Sequence, residues 1–189
     1  SSDLLEMDLD ALEALHIDEL DDLGKWAAAQ GFADFDMYDR FQDICLRIVR
    51  SQKPHKAIEY ADIVMELFHD YLLEESWDDA VFLLPDLERL LPDDPMARAR
   101  SGALINVLRG RVDDGLAVFQ ELAEEYQDDA LCLLVLAEDL IGCQRFVEAA
   151  SLLEKAEEVA EIEGDEETLE GVAAARAYLA EQQEETSGK

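Results

Sequence analysis

The chain of 189 residues has few of the residues that break helices or cross-link a fold: it contains 9 glycines, 4 prolines and 3 cysteines. The cysteines, Cys45, Cys132 and Cys143, are odd in number and fit no zinc-site spacing, so a disulfide framework is not expected. No apolar run approaches the roughly 20 residues that cross a bilayer. The sequence does not begin with a basic stretch followed by an apolar run, so no signal peptide is expected. We therefore expect a cytoplasmic protein with buried free thiols and no membrane contact.

Basic residues are also scarce. Lysine and arginine total 15 against 47 acidic residues, which gives a formal net charge of −32. Residues 1–39 carry 12 acids and only Lys25, and residues 129–189 carry 16 acids and four bases. Residues 40–75 are nearly neutral, with seven acids and five bases. Such a surface repels nucleic acid and anionic lipid headgroups, so neither is expected as a partner.

What the chain has instead is alanine, leucine and glutamate in helical patterns, and 49% of its residues are hydrophobic. This composition favours an all-α fold. Glycines at 110, 142 and 164 separate amphipathic stretches, and Asp128 or Asp129 is the predicted cap of one of them. The pattern predicts helices at about 95–109, 112–126, 130–142, 145–162 and 166–183.

A repeat appears when three of these segments are aligned. The intervals between equivalent positions are 35 and 34 residues, which is typical of helical repeats of two helices each. Small residues recur where two helices would cross, and large apolar residues recur beside them. The aligned sets are Trp77, Val112 and Phe146; Ala80, Gly115 and Ala149; Leu84, Phe119 and Leu153; and Leu87, Leu122 and Ala156.

With these positions, the sequence resembles the tetratricopeptide repeat (TPR) family. The best single match is 130–156, ALCLLVLAEDLIGCQRFVEAASLLEKA, and the resemblance covers about 76–163. Pro92 matches the proline with which the family often ends its second helix, and Gln127 stands in its place one repeat later. The resemblance implies a right-handed helical-repeat solenoid of antiparallel helix pairs, with extra helices at the N-terminus.

The first half of the chain departs from this pattern. Ala57 looks like another small crossing residue, but it lies only 23 residues before Ala80. We therefore predict two longer helices, at 38–51 and 54–74, that pack on the repeats without being regular members. Pro85 is expected to kink or split its helix.

The N-terminal segment is predicted to hold one or two short acidic helices, followed by a loose junction at Gly24, Gly31 and residues 34–36. Their apolar stripe is Leu9, Leu12, Leu15, Leu20 and Leu23. Trp26 and Trp77 are expected in the core. The predicted organisation is an acidic helical segment at 1–37, a TPR-like domain at 38–183 and a flexible tail at 184–189.

Motifs that carry catalysis are missing from the sequence, which has no glycine-rich phosphate loop, GxSxG elbow or HExxH pair. Glu66 and His69 form one Glu-x-x-His step, but a di-iron site takes that step from two helices. Asp34, Asp36 and Asp39 lack the glycine and the terminal glutamate of a calcium loop. We predict no enzymatic activity, no metal and no cofactor.

In the TPR family the first helix of each repeat lines a concave groove. Carried onto this chain, the resemblance places a partner-binding set of mainly apolar residues there, which suits an extended or helical peptide with apolar anchors. The alternative is that these residues pack against a neighbouring helix, above all the last one. The set is Arg100, Leu104, Val107, Leu134, Glu138 and Ile141.

The function that follows is a protein-interaction adaptor or small chaperone that holds a partner peptide or helix in this groove. An alternative is a charge-driven binder of a basic protein, with acidic ends that mimic DNA; its binding would be strongly salt-sensitive. A third interpretation is that the acidity is an adaptation to a salty environment and carries no information about partners.

Overall fold

The computed structural model describes residues 7–187. These residues form α-helices and one 3-10 turn, Ile17–Glu19, with no strand, and chain neighbours pack against each other. The predicted all-α class is therefore confirmed. Within the described residues, every helix is too short or too polar to span a bilayer. The helices are α1 (Leu9–Glu13), α2 (Asp22–Asp34), α3 (Tyr38–Val49), α4 (Tyr60–Leu73), α5 (Trp77–Leu90), α6 (Ala97–Leu108), α7 (Val112–Glu125), α8 (Ala130–Gly142), α9 (Phe146–Glu163) and α10 (Glu166–Ser187).

The described residues divide into two compact units at the bond between Pro95 and Met96. The first unit contains α1–α5 and the second contains α6–α10. The boundary predicted between residues 37 and 38 falls inside the first unit, in the turn between α2 and α3, which pack closely. Helix α10 continues to Ser187, past the predicted end at 183 and into the predicted tail. Residues 1–6 and 188–189 of the predicted terminal segments lie outside the described residues.

Four helix pairs are connected by the same three-residue turn: α2 with α3, α4 with α5, α6 with α7, and α8 with α9. The middle residue of each turn has a positive φ, and the next N–H donates to a carbonyl five residues earlier, as in a Schellman cap. The positive φ values are 58° at Asp36, 56° at Glu75, 92° at Gly110 and 61° at Gln144. The hydrogen bonds run from Met37 to Phe32, Ser76 to Tyr71, Arg111 to Asn106 and Arg145 to Leu140, at 2.8–2.9 Å. Such a short turn makes each pair a helical hairpin.

The small residues predicted at the helix crossings are buried. Ala80 and Ala149 are fully inaccessible, and Gly115 is also buried. A Cβ atom at Gly115 would lie 2.6 Å from the Ala103 carbonyl oxygen and 2.6 Å from Val107 Cγ2, so α6 and α7 touch at this glycine. Trp77, Val112 and Phe146 are the first residues of α5, α7 and α9, as the alignment predicts.

The segment before α4 differs from the prediction of a helix over 54–74. Residues 51–59 are not helical, and Ala57, predicted to lie at a helix crossing, is exposed. The Tyr60 hydroxyl explains the late start, because it accepts from the His55 N–H at 2.6 Å and donates to Asp22 Oδ2 at 2.5 Å. The Ala57 N–H donates to His55 Nδ1. These bonds tie the segment to α2 in a non-helical conformation.

The predicted loose junction around Gly24 and Gly31 is instead a continuous helix, α2. Asp21 caps it by accepting from the Gly24 N–H at 2.8 Å. Gly31 is buried, and a Cβ atom there would lie 3.0 Å from Leu12 Cδ1. The glycine therefore makes room for Leu12, the buried residue of α1.

Pro85 does not split its helix, since α5 runs unbroken from Trp77 to Leu90. A proline inside a helix has no backbone N–H, so the carbonyl oxygen four residues earlier loses its hydrogen-bond donor. Here that carbonyl belongs to Val81, and both Val81 and Pro85 lie on the exposed face. Water can satisfy the freed oxygen, which makes the proline tolerable at this position.

The core of the second unit forms between α8 and its neighbours. Leu133, Leu136 and Leu153 are fully buried in one cluster. Asp129 caps α8 by accepting from the Cys132 N–H at 2.9 Å, which agrees with the predicted start of this helix. Helix α10 packs on both α8 and α9 through a stripe of buried residues. The stripe is Thr168, Val172, Ala175 and Leu179.

Candidate functional site

The six residues predicted to bind a partner lie on α6 and α8, both in the second unit. Arg100 is engaged within the fold: its Nη1 donates to both carboxylate oxygens of Asp139, at 2.9 and 2.7 Å. Both side chains are largely buried, at 13% and 15% exposure. The ion pair joins α6 to α8, so Arg100 is held in the structure and is poorly placed to receive a partner.

Three other members of the set pack against neighbouring helices. Val107 is buried, and its Cγ2 faces Gly115 of α7. Leu134 is buried and lies against Gly171 of α10, where a Cβ atom would approach its Cδ2 to 2.6 Å. Leu104 is half-buried against the core cluster. Leu134 therefore packs against the last helix, α10, which is the alternative to partner binding stated above.

The remaining two, Glu138 and Ile141, line a cleft between α8 and α10 that we call the α8–α10 cleft. Its volume is about 360 Å³. Partial burial raises the pKa of the Glu138 carboxyl, and nearby Arg100 partly opposes this effect. The other lining residues are Gly142, Ala174, Ala175 and Tyr178, so the cleft is mainly apolar with one carboxylate at its side. It suits a small apolar side chain of a partner.

A second opening lies in the first unit, where α2, α3 and α4 meet. We call it the acidic aromatic pocket, and its volume is about 460 Å³. Its walls combine aromatic rings with carboxylates. The lining residues are Trp26, Gln30, Ala33, Asp34, Tyr38, Phe41, Glu66, Asp70, Leu73 and Glu74.

Helical spacing explains how each wall of this pocket is built. Positions 26, 30 and 33 share one face of α2, and positions 66, 70 and 73 share one face of α4. Helix α3 contributes Tyr38 and Phe41, three residues apart. The rings of Trp26 and Phe41 are in contact at a centroid distance of 6.2 Å. The aromatic wall is therefore supported from within, while Tyr38 remains 52% exposed.

Burial and neighbouring charge both act on two carboxylates of α4, those of Glu66 and Asp70. Partial burial raises the pKa of Glu66, and the neighbouring charge of Asp70 raises it further. Burial likewise raises the pKa of Asp70, with Glu74 adding to the effect and His69 opposing it. Glu74 accepts a hydrogen bond from Gln42 Nε2 at 3.0 Å. Negative charge at this pocket thus lacks full compensation.

Two arginines of the same unit are engaged elsewhere. Arg47 pairs with Asp18 at 2.6 Å, and Arg50 pairs with Asp86 at 2.9 Å. Among residues 7–187, no lysine or arginine forms an ion pair with Glu66 or Asp70.

The raised pKa of Glu66 has a consequence for stability. At pH 7 its ionised form is less favourable in the folded than in the unfolded chain, and this cost disappears as the pH falls below the ordinary glutamate range. We expect Glu66→Gln to raise the melting temperature at pH 7 by about 1–2 °C, a small shift because solvent screens the group. At pH 3 the difference from the wild type should vanish. Thermal unfolding by circular dichroism at both pH values measures it, with the exposed Glu158→Gln as control; an equal shift at pH 3 would contradict the electrostatic cause.

The described part of the chain shows no metal site, and its Cys45 and Cys143 thiols are not activated. No group of three or more histidine, cysteine, aspartate or glutamate side chains there is arranged to hold a metal ion. Glu66 lines the acidic aromatic pocket, whereas His69 of the same Glu-x-x-His step does not. Burial raises the pKa of the Cys45 thiol above its ordinary value and that of Cys143 to about 12. Both thiols are thus held in the protonated, poorly nucleophilic form.

Comparison with protein-family models, with curated proteins and with solved structures finds no match for this chain. Its function therefore has to be inferred from its own residues and their arrangement.

The acidic aromatic pocket was not predicted from the sequence. Trp26 was expected in the core and is instead half-buried at a pocket wall. One usable signal was present: Glu66, Asp70 and Leu73 recur at helical spacing, with acids and an exposed leucine on one face. The sequence alone does not show that α4 lies beside α2 and α3, so that face is indistinguishable from an ordinary solvated surface.

Proposed function

We propose that this chain is a TPR-like adaptor or small chaperone that holds a segment of another protein. The observation that carries the proposal is the repeated hairpin. Three helices begin at aligned positions, and buried small residues recur at their crossings every 34–35 residues. Helix pairs of this kind, stacked as a right-handed solenoid, offer extended surfaces for a partner.

The α8–α10 cleft is the part of the predicted groove that remains open to a partner. Ile141 and Ala175 are buried in its floor, whereas Glu138, Ala174 and Tyr178 are exposed around it. We propose that an apolar side chain of the partner inserts between α8 and α10. Arg100, Val107 and Leu134 then act as supports of this surface, since they are engaged within the second unit.

The test is capture of partner proteins from the native lysate by the full chain and by two matched variants. Ala174→Trp fills the cleft, while Ala177→Trp places the same ring on an exposed position of α10 outside it. We expect a specific partner to be reduced at least about tenfold by Ala174→Trp, since its inserted side chain is excluded. Ala177→Trp should retain the partner.

Equal retention by both variants would contradict binding at the cleft, and the absence of any specifically retained protein would contradict the adaptor function. Far-UV circular dichroism of both variants controls for misfolding. Position 174 is exposed, so tryptophan there need not disturb the core.

A further inference from the structure

The acidic aromatic pocket of the first unit combines two kinds of wall that favour the same ligand. Aromatic faces attract cations through their quadrupole, and carboxylates accept hydrogen bonds from them. We propose that this pocket binds the side chain of an arginine in the partner protein, held between the aromatic wall and the carboxylates of Glu66 and Asp70. The inference rests on the proposed function in one respect, namely that the partner is a protein.

Geometry favours a guanidinium over a compact ammonium. The carboxylates of Glu66 and Asp70 lie one helical turn apart on α4, whereas the rings of Trp26, Tyr38 and Phe41 come from α2 and α3. A guanidinium is planar, so it can stack on a ring while its five N–H groups reach more than one carboxylate. A volume of about 460 Å³ accommodates such a side chain with part of the attached backbone.

The surroundings of the pocket favour a protein segment over a free ion. Leu73 lines the pocket and is 70% exposed. Its apolar side chain offers contact to the residues that flank an arginine in a polypeptide. The net charge of −32 would steer a basic segment towards the chain.

Charge compensation gives a further reason for binding. The raised pKa values of Glu66 and Asp70 arise from partial burial and from neighbouring negative charge. A guanidinium placed between them would relieve both effects. The arginines of the same unit are engaged elsewhere: Arg47 pairs with Asp18, Arg50 and Arg89 pair with Asp86, and Arg40 lies over the Phe32 ring.

The test uses N-acetyl-L-arginine amide as the probe and N-acetyl-L-citrulline amide as its uncharged match. The reporter is the indole N–H resonance of Trp26 in the full chain, with Trp77, which does not line the pocket, as internal reference. We expect a saturable shift of the Trp26 signal with the arginine probe at millimolar concentrations and none with citrulline. Equal responses to both probes would overturn the proposal.

Matched variants separate the pocket from the overall charge. Glu66→Gln with Asp70→Asn should weaken binding of the arginine probe at least about tenfold. Asp113→Asn with Asp114→Asn removes the same charge from exposed positions of α7 and should change the affinity less than about twofold. Equal weakening by the two double variants would overturn the proposal, because net charge alone would then explain the binding.

The aromatic wall is tested by a single position. Tyr38→Phe keeps the ring and should preserve the affinity, whereas Tyr38→Ala should weaken it about threefold or more. The same affinity in all three proteins would show that the ring takes no part and would overturn the stacked arrangement.

Capture of the partner from lysate distinguishes this inference from the proposed function. A partner retained by the wild type and lost with Glu66→Gln and Asp70→Asn supports the pocket. A partner retained equally by that variant overturns the assignment to the pocket and leaves the adaptor function standing. If no partner is captured, the adaptor function fails, whereas the arginine titration still decides whether the pocket binds a guanidinium.

Discussion

Replacing Gly115 by leucine is expected to lower the free energy of unfolding of the second unit by about 3 kcal/mol. A Cβ atom at this position would lie 2.6 Å from the Ala103 carbonyl oxygen and 3.0 Å from the Val107 N atom. Both are backbone atoms of α6, so they cannot turn away as a flexible side chain could. The two helices would have to separate, which opens the packing around Phe119.

Native-state hydrogen exchange of the full chain, read at the buried amides of α7, measures this change. Gly142→Ala is the control, because the added Cβ would meet no atom outside its own stretch of helix within 4 Å. Since alanine favours helices more than glycine does, the control should be neutral or stabilising by up to about 1 kcal/mol. Wild-type protection in Gly115→Leu would show that α6 and α7 do not cross closely at this glycine.

Truncation of Leu133 to alanine is expected to cost the second unit about 2–5 kcal/mol. Leu133 is fully inaccessible in the core cluster, where residues of α6–α10 surround α8. Removing its terminal atoms loses hydrophobic burial and leaves a cavity, since the backbone of packed helices collapses only in part. The expected loss is a large share of the stability of a small domain.

Leu131, on the same helix, provides a matched control for Leu133. It is 59% exposed, so Leu131→Ala should change the free energy of unfolding by less than about 0.5 kcal/mol. Hydrogen exchange at buried amides of α8 and α9 measures the free energy of unfolding in both variants. Equal effects at the two positions would contradict the orientation of α8, and therefore the assignment of its buried face.

The second unit could be predicted closely from sequence because its helices carry their own boundaries. Gly110 takes the positive φ within the turn after α6, and Gly164 takes a positive φ directly after α9. Asp129 caps α8 with its own side chain. Each of these signals is local, so the predicted helices from α6 to α9 match the structure to within about two residues.

Local signals were weaker in the first unit. The turns after α2 and α4 take positive φ at Asp36 and Glu75, neither of which is a glycine. The start of α4 depends on the bond between Tyr60 and Asp22, which are 38 residues apart. The hairpin of α2 and α3 uses the same turn as the others, yet the long connection at 50–59 hid it from the repeat alignment.

Candidate sites depend even more on tertiary contacts. The acidic aromatic pocket takes residues from three helices, spread from Trp26 to Glu74. The predicted groove set was placed on the expected helices, but sequence periodicity did not reveal that Leu134 would face Gly171 of α10. A pattern along one helix identifies a face; only the neighbouring helices decide whether that face is covered.

The claim that this chain holds a partner protein is tested most directly by capture from native lysate at about 0.5 M salt, where the Debye length is ~4 Å. We expect one specific partner that survives this wash and is lost with Ala174→Trp but retained with Ala177→Trp. Bound proteins that are all basic and that all leave at moderate salt would contradict it. Such a result would favour charge-driven binding of basic proteins.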